Sequence, residues 1–98
     1  MFIGSARIVI HLPYSHSLKD KRATVRALLS ILQQHHYAAA EVDTLDRWQL
    51  LTLGIVTVSN ESGQAQRTLQ TALQLVEKRL TEGLITDIQT EITSSLGS

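Results

Sequence analysis

"HLPYSHSLKDKR", residues 11–22, changes its hydrophobic period partway through, and the position of that change decides the fold. Upstream, Phe2 to Leu12 alternates. Ala6, Ile8, Ile10 and Leu12 share one face, and Ser5, Arg7, Val9 and His11 share the other, the period-two pattern of a half-buried strand. Pro13 has no N–H to give to a ladder and stops the strand. Downstream, Leu18, Val25, Leu28, Leu29 and Leu32 recur at helical spacing, which predicts a helix from 18 to His35. Ser17 is placed to cap it, and Asp20, three residues on, forms a capping box with a shorter acid. His35 and His36 close it, where an imidazolium suits the negative end of the helix dipole.

Outward from that junction the remaining elements fall into order. "YAAAEVD" at 37–43 is too short for a second long helix and is expected to be a short edge strand, with "DTLDR" after it as a turn. Trp48 to Ser59 is β-branched and apolar on both faces near its end, as a central strand is; Leu51, Leu53 and Ile55 alternate against Thr52, Gly54 and Val56. "NESG" at 60–63 is turn and cap chemistry. Ala65, Leu69, Ala72, Leu73, Val76 and Leu80 make the stripe of a second helix, which Gly83 is expected to end at the C′ position. Leu84, Thr86, Ile88 and Ile92 alternate with Asp87, Gln89 and Glu91 in a last strand. The order β-α-β-β-α-β predicts an α+β, ferredoxin-like domain, a four-stranded antiparallel sheet with both helices on one face. Residues 1–93 are expected to form that single domain and 94–98 a disordered tail. The uncovered sheet face, carrying Val9, Leu50, Val56 and Val58, is the expected surface for a homodimer.

Composition sets outer limits. Nine Lys and Arg balance nine Asp and Glu, so a strong overall basic field is excluded while a local basic patch is not. There is no cysteine, which removes disulfide and thiolate chemistry and fits a reducing compartment. Residues 1–12 lack a basic region and a small-residue cleavage site, and no apolar run is long enough to span a bilayer; a cytoplasmic protein without membrane partners is expected.

The expected topology brings two charged clusters to one end of the domain. The junction after the first strand carries His11, Ser15, His16, Ser17, Lys19, Lys21 and Arg22, and the hairpin between the second and third strands carries Glu41, Asp43, Asp46, Trp48 and Gln49. At about 100° per residue Lys21 shares a face with Leu18, Val25 and Leu28 and leans toward the sheet, flanked by Lys19, Arg22 and Arg26. Cations in a first helical turn oppose the dipole by about 0.3–1 kcal/mol each. Two arrangements relieve them. One is an internal ion pair from Lys21 to Glu41 or Asp43, tying the helix to the second strand. The other is an external anion, an RNA phosphate or a partner's carboxylate, with Trp48 as a stacking face.

A metal site or acid–base pair from His11, His16, Asp43 and Asp46 is a third reading, the basis of an alternative assignment as an enzyme or small-ligand protein. No H-E-x-x-H spacing, phosphate-binding loop, dinucleotide fingerprint or nucleophile elbow supports it, and no cofactor or metal is expected.

The two clusters also carry a resemblance. "HLPYSHSLKDKR" followed by "AEVDTLDRWQLLTLGI" and "VSN" resembles the YlxP-like family of small bacterial proteins of unknown function, over about residues 2–93. The matching positions are His11, Pro13, Ser15, Ser17, Leu18, Lys19, Asp20, Lys21 and Arg22. They continue with Ala40, Glu41, Val42, Asp43, Asp46, Trp48, Gln49, Leu53, Gly54, Ile55, Ser59 and Asn60. Leu45, where the pattern has a polar residue, and Arg47, where it has an apolar one, depart from it. The resemblance implies a ferredoxin-like fold. Because genes of this family tend to lie beside those for translation initiation and ribosome maturation, it also implies an association with ribosomal RNA or a ribosome-associated protein. On that basis Lys19, Lys21 and Arg22 are expected to contact phosphate or an acidic partner. Glu41, Asp43 and Asp46 are expected to position them, and Ser15, Ser17, His11, Trp48 and Gln49 to complete the binding surface.

Overall fold

The computed structural model describes residues 1–96. It contains β1 (Phe2–His11), α1 (Leu18–Gln34), β2 (Ala38–Glu41), β3 (Leu50–Ser59), α2 (Ser62–Arg79) and β4 (Leu84–Ser94). The sheet order is β2-β3-β1-β4, with every neighbouring pair antiparallel. This is the ferredoxin-like arrangement that the alternation of strand and helix periods predicts.

Both helices lie on one sheet face. Ala6, Ile8, Ile10 and Leu12 of the β1 side and Leu51, Leu53 and Ile55 of β3 meet Val25, Leu28 and Leu32 of α1 and Leu69, Ala72 and Val76 of α2 in one buried cluster. Each fully buried Ile or Leu in such a cluster contributes about 1.5–3 kcal/mol by leaving water. Tyr37, just before β2, is half-buried against this core and donates its hydroxyl to the Thr68 carbonyl of α2 at 2.8 Å. That contact draws α2 toward the β2 edge, and burial raises the Tyr37 pKa.

The third strand begins at Leu50 rather than Trp48, and four further points differ from the sequence reading, each for a local reason. Leu18 is exposed, because Lys21 rather than Leu18 fills the inward position of the first turn of α1. Ser62 and Gly63, read as turn residues, already belong to α2. Gly83 does not sit at the C′ position of α2; the helix is capped at Leu80, and Gly83 serves the turn into β4 with φ +121°. The simple alternation of β4 fails as well. An irregularity in the pairing with β1 between Val9 and Ile10 sets Asp87 opposite Val9 and Ile85 opposite Ile10, and skips Thr86. Ile85 thereby packs on the core while Leu84 pairs with His11 and is exposed. At the chain end, Ser94 closes β4 and the Ser95 N–H donates to the Met1 carbonyl at 2.9 Å; residues 97–98 of the expected tail lie outside the described residues.

The face away from the helices carries Ile3, Ser5, Arg7, Val9 and His11 of β1 opposite Val58, Val56, Gly54, Thr52 and Leu50 of β3. Val56 and Val58 are exposed there. Thr52 is fully buried on the same face, because the segment 42–49 folds back over it. Val42 lies over Gly54, where a β-carbon would stand 3.4 Å from Val42 Cγ1. No helix among the described residues is long and apolar enough to cross a membrane.

Candidate functional site

The β1–α1 junction is built almost wholly from backbone and short side chains. The Leu12 N–H donates to the Gln49 carbonyl at 2.8 Å, so β1 and the start of β3 remain paired one residue beyond the strand. The chain then turns, with the Ser15 N–H donating to the Leu12 carbonyl at 3.2 Å and the buried Ser15 hydroxyl to the Ser17 carbonyl at 3.1 Å. Gln49 Nε2 reaches across to the Ser15 carbonyl at 3.3 Å. Ser15 and Gln49 therefore hold the junction against the hairpin rather than face outward.

Ser17 caps α1, its hydroxyl accepting from the Asp20 N–H at 3.1 Å, and the Asp20 carboxylate accepts in return from the His16 N–H at 3.1 Å. The reciprocal bond thus reaches one residue further back than in a standard capping box. Asp20 also places a negative charge in the first turn, so the N-terminus of α1 is already partly satisfied from within the chain. Ser17→Ala is expected to lower the unfolding free energy by about 1 kcal/mol, read as a shift in urea midpoint at unchanged slope.

Lys21 answers why cations begin this helix. It is 2% exposed. Its ammonium donates to the carbonyls of Thr44 and Arg47, each at 2.6 Å, and lies 2.7 Å from Glu41 Oε2. Glu41 Oε2 is buried and makes no aligned hydrogen bond, so its compensation is the Lys21 charge itself. The two carbonyls belong to a short turn closed by the Arg47 N–H to the Thr44 carbonyl at 3.1 Å, and Thr44 Oγ1 lies 2.8 Å from Thr52 Oγ1. One side chain of α1 therefore fixes the end of β2 and the 44–47 turn together. With its donors directed inward and its surface covered, Lys21 is not available to an external phosphate.

Asp43 does not join this group. Held at φ +62°, a conformation Asp tolerates better than most residues, it turns onto the open sheet face. There its Oδ2 accepts from Arg7 Nε at 2.7 Å across β3. Both side chains are about half exposed, so the pair contributes little, about 0–1 kcal/mol. Arg7 is the site residue that sequence reasoning missed. Its position on the outer face of β1 was legible, but nothing in the sequence shows that Asp43 crosses a strand to meet it.

Of the remaining candidates, His11 is half-buried between Leu50 and Leu84 on the open face, and His16, Asp46 and Trp48 are exposed. His11, Asp43 and Asp46 are not gathered into one site: no group of three or more His, Cys, Asp or Glu able to hold a metal occurs among the described residues.

What faces solvent is a basic stripe. Lys19, Arg22 and Arg26 are exposed, and none makes an ion pair among the described residues. Spaced i, i+3 and i+7, they fall within an arc of about 60° on α1. The other helix places its end cations conventionally, with Lys78 and Arg79 in the last turn of α2, whereas α1 has no basic residue in its last turn. Beside the stripe a cleft of about 180 Å³ opens between α1 and the 42–49 segment, lined by Leu18, Arg22, Val25, Leu45 and the edges of Lys21 and Glu41. Of the acids expected to position Lys19, Lys21 and Arg22, Glu41 holds Lys21 and Asp43 pairs with Arg7, while Lys19 and Arg22 make no ion pair among the described residues.

These features define a ferredoxin-like two-layer domain whose hairpin is fixed by a buried lysine. The chain belongs to the protein family of unknown function DUF503, whose model matches residues 3–90. Among curated proteins it is similar to the uncharacterized protein YlxP of Bacillus subtilis (strain 168), at 32% identity over 62 residues, 62% of this chain and 67% of that protein. Among solved structures it is similar to a de novo designed protein with ferredoxin fold, with a TM-score of 0.57 at 12% identity, covering 100% of this chain and 90% of the designed one. That likeness concerns the fold alone.

Proposed function

We propose that this protein is a non-enzymatic factor that docks on ribosomal RNA through the outer side of α1, with Lys19, Arg22 and Arg26 on the phosphates. The observation that carries this reading is the pairing pattern. In a chain of zero net charge, the cations of this stripe are exposed and make no ion pair among the described residues, while Arg7 and Lys21 each have an internal acid. Three exposed cations within one arc of α1 give a local basic field on a chain whose net charge is zero. Arg47 and the half-exposed Trp48 belong to the segment that Lys21 holds against α1, and offer a further cation and a stacking face at this end of the domain. Lys21 and Glu41 act by holding that segment in place.

The test is co-sedimentation with purified ribosomal subunits across a salt series. The wild type is expected to bind one subunit, with affinity falling as salt rises. The Lys19→Ala, Arg22→Ala double variant is expected to keep its fold and to lose about 2 from the log–log salt slope, one per phosphate contact. A wild type that fails to sediment with either subunit at low salt removes this reading.

A further inference from the structure

We propose that β4 is an assembly edge, and that two copies of this chain join through it in antiparallel register about Thr90 to make one continuous eight-stranded sheet. This inference is independent of the RNA reading and rests on the outer edge of the sheet rather than on α1.

The two edges of the sheet differ. β2, at one end of the order, is four residues long. β4, at the other, is eleven residues long, has β1 as its one strand neighbour among the described residues, and has only Ile85 and Ile92 half-covered. Long edges are normally protected by charged side chains, above all Lys, by Pro, by inward-pointing charge or by β-bulges. β4 has no Lys or Pro, its irregularity lies at Thr86 near one end, and its acids Asp87 and Glu91 both stand on the open face, opposite Val9 and Ser5, which leaves residues 87–93 as a regular edge. Ile88, opposite Ile8 on the helix side, is 41% exposed at this edge.

The sequence of β4 selects one occupant and one register. In a two-fold antiparallel ribbon each side chain meets one of the same face, so the axis must pass through a residue. An axis at Asp87 sets Asp87 against its own copy, one at Glu91 does the same for Glu91, and one at Gln89 sets Asp87 against Glu91. Like charges directly opposite are destabilising. An axis at Ile88 draws the irregular Thr86 position into the ribbon, and one at Ile92 runs past the strand end after two pairs. An axis at Thr90 avoids all of these. It pairs Thr90 with Thr90, Ile88 with Ile92 on the helix side, and Gln89 with Glu91 and Asp87 with Thr93 on the open side. Those are apolar, hydroxyl and amide–carboxylate pairs of the kind that stabilise neighbouring strands. A ribbon of seven residues lies at the small end of specific interfaces, so association in the micromolar range is expected.

The chain has no cysteine, so a single introduced cysteine reports the register directly. In the proposed ribbon the two Thr90 Cα atoms lie about 4.5–5.5 Å apart, within the span of a disulfide. The two Asp87 positions lie six residues out of step, about 20 Å apart, and the two Ile88 positions about 13 Å apart. Thr90→Cys is expected to give a covalent dimer on mild oxidation at about 100 µM, while Asp87→Cys and Ile88→Cys stay monomeric, each variant checked for its fold by circular dichroism. In sedimentation without oxidant, Thr90→Lys and Thr90→Glu are each expected to be monomeric, and their mixture is expected to recover the dimer. Crosslinking of Ile88→Cys or Asp87→Cys as fast as Thr90→Cys overturns the register. A wild type that stays monomeric at about 100 µM, or a charge-swapped mixture that does not associate, overturns the assembly edge.

Discussion

The Lys21→Met variant is expected to lose about 3–5 kcal/mol of unfolding free energy, a large share of the roughly 5–15 kcal/mol available to a domain of this size. Methionine keeps most of the aliphatic stem and removes the ammonium, so the effect isolates what the charge does. It leaves the buried Glu41 oxygen without its compensating cation and the Arg47 carbonyl without the Lys21 ammonium, while the Thr44 carbonyl keeps the Arg47 N–H. The Arg47 carbonyl left without its donor adds about 1–3 kcal/mol of desolvation unless the turn opens to water. A turn that opens exposes Thr52 and releases Val42 from Gly54, so the loss should spread to the β2–β3 pairing. Urea unfolding measures it. Lys19→Ala, two residues away but exposed, should leave the midpoint nearly unchanged. The Lys21→Met, Glu41→Leu double variant should recover only part of the loss, because it removes the stranded carboxylate but does not restore the ammonium's bonds to the 44–47 turn. A single variant within about 1 kcal/mol of wild type would mean that the ammonium is not what fixes the turn.

The same reasoning separates structure from function at this end of the molecule. A Lys21 variant that lost subunit binding would say nothing about phosphate contact, since the segment bearing Arg47 and Trp48 would have moved. Lys19 and Arg22 are the informative positions, because both are exposed and neither makes an ion pair among the described residues. The first-turn cations of α1 therefore have two explanations. Lys21 is relieved internally by Glu41, whereas Lys19 and Arg22 make no ion pair among the described residues and share the first turn with Asp20.

The strand and helix order was legible because each element carries its own period. Ala6, Ile8 and Ile10 against Arg7 and Val9 is a two-residue repeat, and Val25, Leu28 and Leu32 is a helical one, so the switch between them at Pro13 fixed the topology. The pairing of Lys21 with Glu41 was legible as one of two options, because topology puts both at one end and helical spacing turns Lys21 inward. Arg7 with Asp43 was not, because it depends on one positive-φ residue redirecting the chain across the open face. Sequence does not specify such a turn when Asp, rather than Gly, supplies it. The offset in β4 was hidden for a related reason. Thr86 is skipped in the pairing although its side chain is ordinary for a strand, and its hydroxyl instead donates to the Val9 carbonyl at 3.3 Å. Gly83 was legible as a punctuation mark but not as the right one: the pattern places it near a helix end, and only the fold shows which turn needs it.

Gly83→Ala is expected to destabilise the domain by about 2–4 kcal/mol, the sum of a strained backbone and a clash with no room to relax. At φ +121° an L-residue is strained whatever its surroundings. Here a β-carbon would also stand 2.9 Å from the His11 carbonyl oxygen and 2.8 Å from Leu12 Cδ2, one a backbone atom of the central strand and the other a buried core side chain. Neither can withdraw without moving β1, where His11 pairs with both Leu50 and Leu84. The alternative is for β4 to lift away from the end of β1, which breaks the His11–Leu84 and Ile10–Ile85 pairs beside the existing irregularity. Hydrogen exchange distinguishes the two. Faster exchange confined to residues 83–86 means that β4 has peeled, whereas faster exchange reaching Leu50 and Leu51 means that β1 has shifted. Gly63→Ala, the same change inside α2, meets only the end of the Arg67 side chain at 3.4 Å and is expected to raise stability by about 0.5–1 kcal/mol. Opposite signs for one chemical change at two glycines would place the effect in the backbone of the α2–β4 turn. Equal signs would show that the turn tolerates a side chain and that β4 is not anchored there.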